Sequence, residues 1–370
     1  MLISKKVWLI RRIPARQERR GINLGFFTDE EVGSLRITNM ILHVVGGDEF
    51  VPEPARVVEH EAFFIARIRD TDVSAVYSFE ETSNTKAQIE AIATGAVSFE
   101  AGAQALSNEF SRLHVGSSRD GALFIFELST HDPQTRIYSF VKYDYREAIE
   151  QAAADEGGLL RRIVTAFIAD KKAIQKSTII RVNEGVAELP ISTQDRMKVA
   201  PEIGDYFATF LNVSRTLSDE MLNKKTVDVL RTTLTFCKEL LPEQDVARAF
   251  RHAQGILRDR QEINEAAITD AILAASGNPE DEEVRGKIQL TTRRRMRAAK
   301  LDGLQFRPDR HVLRRPPLRK IRTTEGVTLT YPDEAEGLTV RRERLPAGAE
   351  RFIIQTARVT EDNIVRSPAR

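Results

Sequence analysis

At 370 residues the chain is long enough for two or three domains with cores of their own, and 41% hydrophobic with 29% charged residues is a globular balance. No apolar run approaches the roughly 18–20 residues of a membrane span, and the single cysteine, Cys237, excludes an intramolecular disulfide and a cysteine-based zinc cage. The net charge is only +1, yet it is segregated: Arg285–Arg322 holds fourteen Lys/Arg against Asp302 and Asp309, so these 38 residues carry +12.

Residues 1–20 carry +6, residues 323–340 carry −4 and residues 341–370 carry +3, which leaves −16 on residues 21–284. The chain therefore reads as an acidic body with a basic C-terminal region and a basic N-terminal end. A concentrated positive field attracts a polyanion, while near-neutrality of the whole favours solubility. The N-terminal MLISKKVWLIRRIPARQERR places charges on both sides of a short apolar patch, without the apolar core and cleavage site of a secretory signal. A reducing cytoplasm is the expected location.

In chain order, residues 1–34 are expected to be a basic extension. Residues 35–198 read as an α+β domain. Leu35–Val45, Ala62–Ile68 and Val73–Phe79 are expected strands, the second apolar almost throughout. Two helices should follow, the first capped by Asn84 and ended by Gly95, the second placing Phe99, Ala103, Leu106, Phe110 and Leu113 on one face. Gly121–Leu128 and Arg136–Tyr143, joined by the turn at His131-Asp132-Pro133, predict an antiparallel hairpin. Leu159–Lys172 fits either helix or strand, and Ser177–Val182 reads as a strand.

Residues 199–300 read as a helical region. Pro201 is expected to open a helix with Ile203, Tyr206, Phe207, Phe210 and Leu211 on its apolar side. Core packing is the default role of that face, and a dimer or domain interface is the alternative. Helical pattern recurs over 217–241, 243–259 and 264–276, the last stopped by Gly277. Asn278-Pro279 followed by acids then signals a helix leading into the basic stretch. Residues 301–370 read as a small basic β-rich module, with Leu304–Phe306, Val327–Tyr331, Gly337–Val340 and Phe352–Val359 as strands. The fold class is α+β: a mixed N-terminal domain with an antiparallel hairpin, a helical middle region and a β-rich C-terminal module.

Asp195–Ser214, DRMKVAPEIGDYFATFLNVS, resembles the bacterial nucleoid-associated protein family of the YejK/NdpA type, with its basic start and an acidic-aromatic helix ending in FL and small residues. Gly121–Tyr143 is similar to that family's apolar hairpin, and Lys300–Phe306 (KLDGLQF) with the later GVTLTYP is similar to its C-terminal strand segment. The likeness is dispersed over most of residues 35–340. The N-terminal extension, the arginine density at 293–322 and the tail after Gly337 depart from the family pattern. The resemblance implies a cytoplasmic bacterial protein that associates with the nucleoid and binds DNA without marked sequence preference. It carries over no catalytic residues, cofactor or metal.

For a polyanion partner the residue type fits, since eleven of the fourteen basic residues in Arg285–Arg322 are Arg, whose planar fork matches phosphate. Phosphate contacts give affinity without reading sequence. The bland reading is a surface neutralised by the protein's own acids. Arg293, Arg294, Arg295, Arg297 and Lys300 cannot share one helical face, and only Met296 and nearby alanines would pack beneath them. Arg314-Arg315 and Arg319-Lys320 flank Pro316-Pro317, which should hold an extended strap. Phe306 is the only ring in the segment, which favours duplex over single strands.

An enzyme would need a site. The six histidines are scattered, and no HExxH, GxxxxGK[ST], GxGxxG or GxSxG pattern occurs. Asp120 with Lys142 resembles part of the Asp…(Asp/Glu)-x-Lys pattern of metal-dependent nucleases, but position 140, where the second carboxylate belongs, is Phe. Lys142 then reads as an edge-strand charge, and Cys237 as a buried small hydrophobe on the stripe Leu230–Leu234–Cys237–Leu241. The sequence thus predicts a non-enzymatic, duplex-preferring DNA-binding protein. Phosphate contact would come from Arg293, Arg294, Arg295, Arg297, Lys300, Arg307, Arg310, Arg314, Arg315, Arg319, Lys320 and Arg322. The alternative is an adaptor or DNA-sensing subunit of a larger assembly, for example in antiphage defence, whose basic region docks an acidic protein. A second copy of the chain is a further candidate partner.

Overall fold

A computed structural model describes residues 25–46, 49–113, 121–144, 173–314, 316 and 318–363. Its centre is an eight-stranded antiparallel sheet of order β1-β3-β4-β5-β7-β2-β8, with β6 paired to β5. The strands are β1 (Arg36–Val45), β2 (Tyr77–Phe79), β3 (Gly121–Ser129), β4 (Thr135–Tyr143), β5 (Ile174–Asn183), β6 (Val186–Ala187), β7 (Pro190–Asp195) and β8 (Val213–Arg215). The α+β class holds, and so does the hairpin, which is β3–β4.

The near-continuous apolar runs of β3 and β4 have a physical reason: both faces of the sheet are covered. Leu123, Ile125, Tyr138 and Phe140 point into one core with α3 (Asn84–Ala93) and α4 (Phe99–Leu113). Phe124, Phe126, Leu128 and Val141 point into the other, with α1 (Asp29–Ser34) and α2 (Glu61–Arg69) alongside. Thr28 starts α1 with a capping box, its hydroxyl accepting from Glu31 N while the Glu31 carboxylate accepts from Thr28 N.

Helix α2 corrects the strand expected at Ala62–Ile68. Phe64, Ile65 and Ile68 are buried while Ala62 and Ala66 are exposed, which is a helical stripe that a seven-residue apolar run conceals. Phe64 packs 5.4 Å from the Phe124 ring and 5.2 Å from that of Phe126. The strand expected over Val73–Phe79 shrinks to β2. Ser83, rather than Asn84, caps α3, and Gly95 follows its end at φ +74°. Strands β6, β7 and β8 have no counterpart among the expected elements; β6 and β8 are too short for a period. Leu159–Lys172 lies outside the described residues.

In the helical region, Pro201 does not open a helix. It follows a cis peptide, and α5 (Asp205–Leu211) begins after Gly204. Its aromatic side is core: the Phe110 ring meets those of Tyr206, Phe207 and Phe210 at 5.8, 6.2 and 5.0 Å. Helices α6 (Asp219–Phe236), α7 (Val246–Arg258), α8 (Glu265–Ala275) and α9 (Glu282–Ala298) follow. Asp281, not Asn278, caps α9, its carboxylate accepting from Glu283 N and Val284 N. Asn278 instead sits at φ +48° after Gly277 and donates its N–H to Leu273 O, which terminates α8.

Leu301, Leu304, Phe306 and Leu313 join the core of these helices. The strand expected at Leu304–Phe306 is a single bridge between Phe306 and Ile263. A short helix, α10 (Arg310–Leu313), precedes two separate hairpins, β9 (Leu318–Arg322) with β10 (Thr328–Pro332) and β11 (Val340–Arg344) with β12 (Glu350–Ile354). The two later strand expectations thus move to Val340–Arg344 and Glu350–Ile354.

Sheet and helices meet at a seam where two carboxyls are held out of water. Asp72 accepts from Phe26 N at 2.7 Å, and Ser74 N donates to Asp302 O at 3.0 Å. Burial pushes Asp72 up to about 7 and Asp302 up to about 6, each raised further by a neighbouring carboxylate, Asp302 and Glu265 respectively. A folded pKa above the unfolded one favours the fold below about pH 4 and loses that contribution as pH rises through about 7. Asp72→Asn retains the acceptor oxygen for Phe26 N. It is expected to stabilise the protein at pH 8 by about 2–4 kcal/mol, with the gain shrinking at pH 5, as thermal melts at the two pH values would show.

Candidate nucleic-acid interface

Helix α9 carries the first basic group. Ile288, Thr292 and Met296, spaced by four, are buried, and α9 packs on α6 and α8. That fixes which side faces water. Arg293, Arg294, Arg295 and Lys300 are exposed, and their position near the C-terminal end suits the negative pole of the helix. Arg295 lies over the exposed Phe236 ring at 5.7 Å. The half-buried Arg297 approaches Asp302 at 3.8 Å.

Helix α6 draws the second basic group to the first. On one flank, Lys225 Nζ donates to Ala299 O at 2.8 Å, beside Lys300. Burial, then the Lys300 charge, holds the Lys225 ammonium below its usual range. On the other flank, Asn223 Nδ2 donates to Arg307 O at 2.9 Å, and Asp309 N donates to Asn223 Oδ1 at 3.0 Å. Asp309 then caps α10 by accepting from His311 N and Val312 N. The clasp sets exposed Arg307, Arg310 and Arg314 on the side of α6 opposite the end of α9. Asp259 registers this field: its carboxyl lies below the usual range, first through Arg258 and further through Arg310 and Arg314.

Beyond Arg314, which ends α10, the described part of the expected strap is the strand β9 from Leu318, and position 317 lies outside the described residues. Arg315 lies outside the described residues. Lys320 and Arg322 are exposed on one face of β9, across from Thr330 and Thr328. Arg319 points the other way and is neutralised internally, paired with buried Asp333 and with Glu336 at 3.0 Å; Arg251 of α7 reaches Asp333 at 2.6 Å. At this residue the bland reading holds, so Arg319 pins the hairpin to the helices. Among the described residues, Arg293, Arg294, Lys300, Arg307, Arg310, Arg314, Lys320 and Arg322 make no ion pair.

Lys142 is not an edge-strand charge. It is buried in β4, between β3 and β5, directly across from Lys176, which in turn lies across from Asp195 of β7. Lys176 and Asp195 form a buried ion pair that sequence reasoning missed, because each belongs to a different polar-looking strand. Asp120 lies outside the described residues. Phe140 packs 6.0 Å from Phe210. His43 is a core histidine, pushed down to about 4 by burial, and burial raises the Cys237 thiol. Among the described residues no group of three or more His, Cys, Asp or Glu is placed to hold a metal. No helix among them is long and apolar enough to cross a membrane.

No protein-family model matches the chain, and no curated protein sequence matches it.

Proposed function

We propose that the protein is a non-enzymatic DNA-binding protein of nucleoid-associated type, acting in the bacterial cytoplasm on the nucleoid. It grips duplex DNA by its phosphates, through the end of α9, the α10 segment and the outer face of β9. The observation that supports this reading is the clasp of α6. It holds arginines from two stretches of chain on the two opposite flanks of one helix and leaves them exposed without ion pairs among the described residues. Phosphate contact by such residues confers affinity rather than sequence choice.

The test is a titration of duplex DNA, single-stranded DNA and RNA at two salt concentrations. Duplex should bind tightest, with log affinity falling steeply against log salt. Binding to none of them, or binding indifferent to salt, refutes the proposal. Partners captured from lysate that persist after nuclease digestion would favour the adaptor role instead.

A further inference from the structure

Two of the stretches that carry the family resemblance, Asp195–Ser214 and Lys300–Phe306, face each other across a cleft. Its first lobe, about 420 Å³, lies between residues 193–202 and residues 303–305, with Val73 and Val76 adding apolar lining. A second lobe of about 440 Å³ shares Lys198, Ala200 and Gln305 and reaches Arg307. Each lobe falls within the range of small-molecule sites, roughly 300–1,000 Å³.

The walls are fixed before any ligand arrives. The Asp195 carboxylate, besides pairing with Lys176, accepts from Gly204 N at 2.9 Å and Met197 N at 3.0 Å. Tyr77 Oη donates to Pro201 O at 3.3 Å. On the facing side Gly303 N donates to Glu265 Oε1 at 2.9 Å. Preorganisation of this kind lowers the cost of binding.

Two of the cleft's carboxylates are paired, Asp195 with Lys176 and Glu202 with Arg215, while Glu262 in the second lobe accepts from the neutral Asn264 amide at 3.2 Å and keeps its charge. Lys198 lines both lobes and Arg307 the second, both exposed and without an ion pair among the described residues. Half-buried Gln305 lines both lobes, and its amide supplies donors and an acceptor. With Arg196, which also lines the first lobe, these cations, an amide and an apolar wall together suit an anion attached to an organic body.

We propose that this cleft binds a phosphate ester of mononucleotide size. The phosphate sits between Lys198 and Arg307, and the organic portion lies against Val73, Val76 and Leu304. The site goes beyond the duplex contact proposed above and does not depend on it. A free mononucleotide and the terminal nucleotide of a DNA strand share this chemistry.

The experiment is calorimetric titration of the full chain with deoxyadenosine monophosphate, deoxyadenosine and short duplexes with or without 5′-phosphates. The monophosphate should bind at least about tenfold tighter than the nucleoside, which has no phosphate to receive charge-assisted hydrogen bonds. Lys198→Gln should weaken the monophosphate by a similar factor while leaving the affinity for duplex without 5′-phosphates and the melting temperature unchanged. Arg293→Gln with Arg294→Gln should do the reverse. Preference for the 5′-phosphorylated duplex over the free monophosphate identifies a strand end as the source, and the opposite order a free nucleotide. No binding of the monophosphate or of the phosphorylated end at millimolar concentration, or binding unmoved by Lys198→Gln, overturns the site. Neither result alters the salt dependence on which the duplex reading rests.

Discussion

Converting Arg293, Arg294, Arg310 and Arg314 together to Gln is expected to flatten the plot of log duplex affinity against log salt by up to about 3.6, at about 0.9 for each phosphate that is no longer neutralised. The four residues sit on both flanks of α6, so the variant asks whether the two basic groups act on one DNA. They are exposed and make no ion pair among the described residues. Their replacement should therefore change stability by no more than about 0.5 kcal/mol, which a melt would verify. Replacing Arg341 and Arg344, on the separate β11–β12 hairpin, removes half as many charges elsewhere and should leave the slope nearly intact. Flattening by this variant of half that in the fourfold variant would mean that net charge alone attracts DNA. An unchanged slope in the fourfold variant would remove the α9–α10 surface from the interface.

How far the sequence disclosed this arrangement differs from residue to residue. The β3–β4 hairpin was legible because two sustained apolar runs flank Asp132-Pro133, and α9 because of its start signal, the acids of its first turn. Helix α2 was not, since Phe64, Ile65 and Ile68 satisfy a strand run and a helical stripe equally well over seven residues. The exposed arginines of α9 were legible as a charge excess. That Arg319 belongs to a different class was not, because its partners Asp333 and Glu336 lie across the β9–β10 turn and Arg251 reaches the same carboxylate from α7. The α6 clasp was hidden for a related reason: Asn223 and Lys225 act on main-chain groups at Arg307, Asp309 and Ala299, and such hydrogen bonds leave no pattern in side-chain spacing. The cleft and the Lys142–Lys176–Asp195 row needed the sheet order, since their members meet only through strand pairing and loop packing.

That row supports the prediction with the largest effect on stability. Lys176 is buried in an ion pair with Asp195, with its ammonium 4.8 Å from the centre of the Tyr206 ring. Burial holds the ammonium below its usual range, while the Asp195 hydrogen bond opposes that shift. Asp195→Ala removes the carboxylate across from Lys176 and leaves that ammonium facing Lys142 on the other side. It also releases Gly204 N and Met197 N from their acceptor. Breaking a buried pair from one side costs about 3–5 kcal/mol, so urea unfolding should show a loss of that order. Lys176→Met combined with Asp195→Asn is the informative partner variant. Asparagine retains one acceptor oxygen for one of the two backbone donors, which bond to different oxygens of Asp195, and methionine fills the space beside Tyr206 and Phe207 without a charge. Replacement of a buried pair by groups of similar volume is often neutral, so the double variant should recover most of the stability that Asp195→Ala loses. If it is as unstable as Asp195→Ala, the charge pair itself, rather than relief from an unpaired ammonium, holds β5, β7 and the start of α5 together. If Asp195→Ala is as stable as the parent chain, Lys176 is not held by Asp195, and the fixed wall on which the cleft depends loses its anchor.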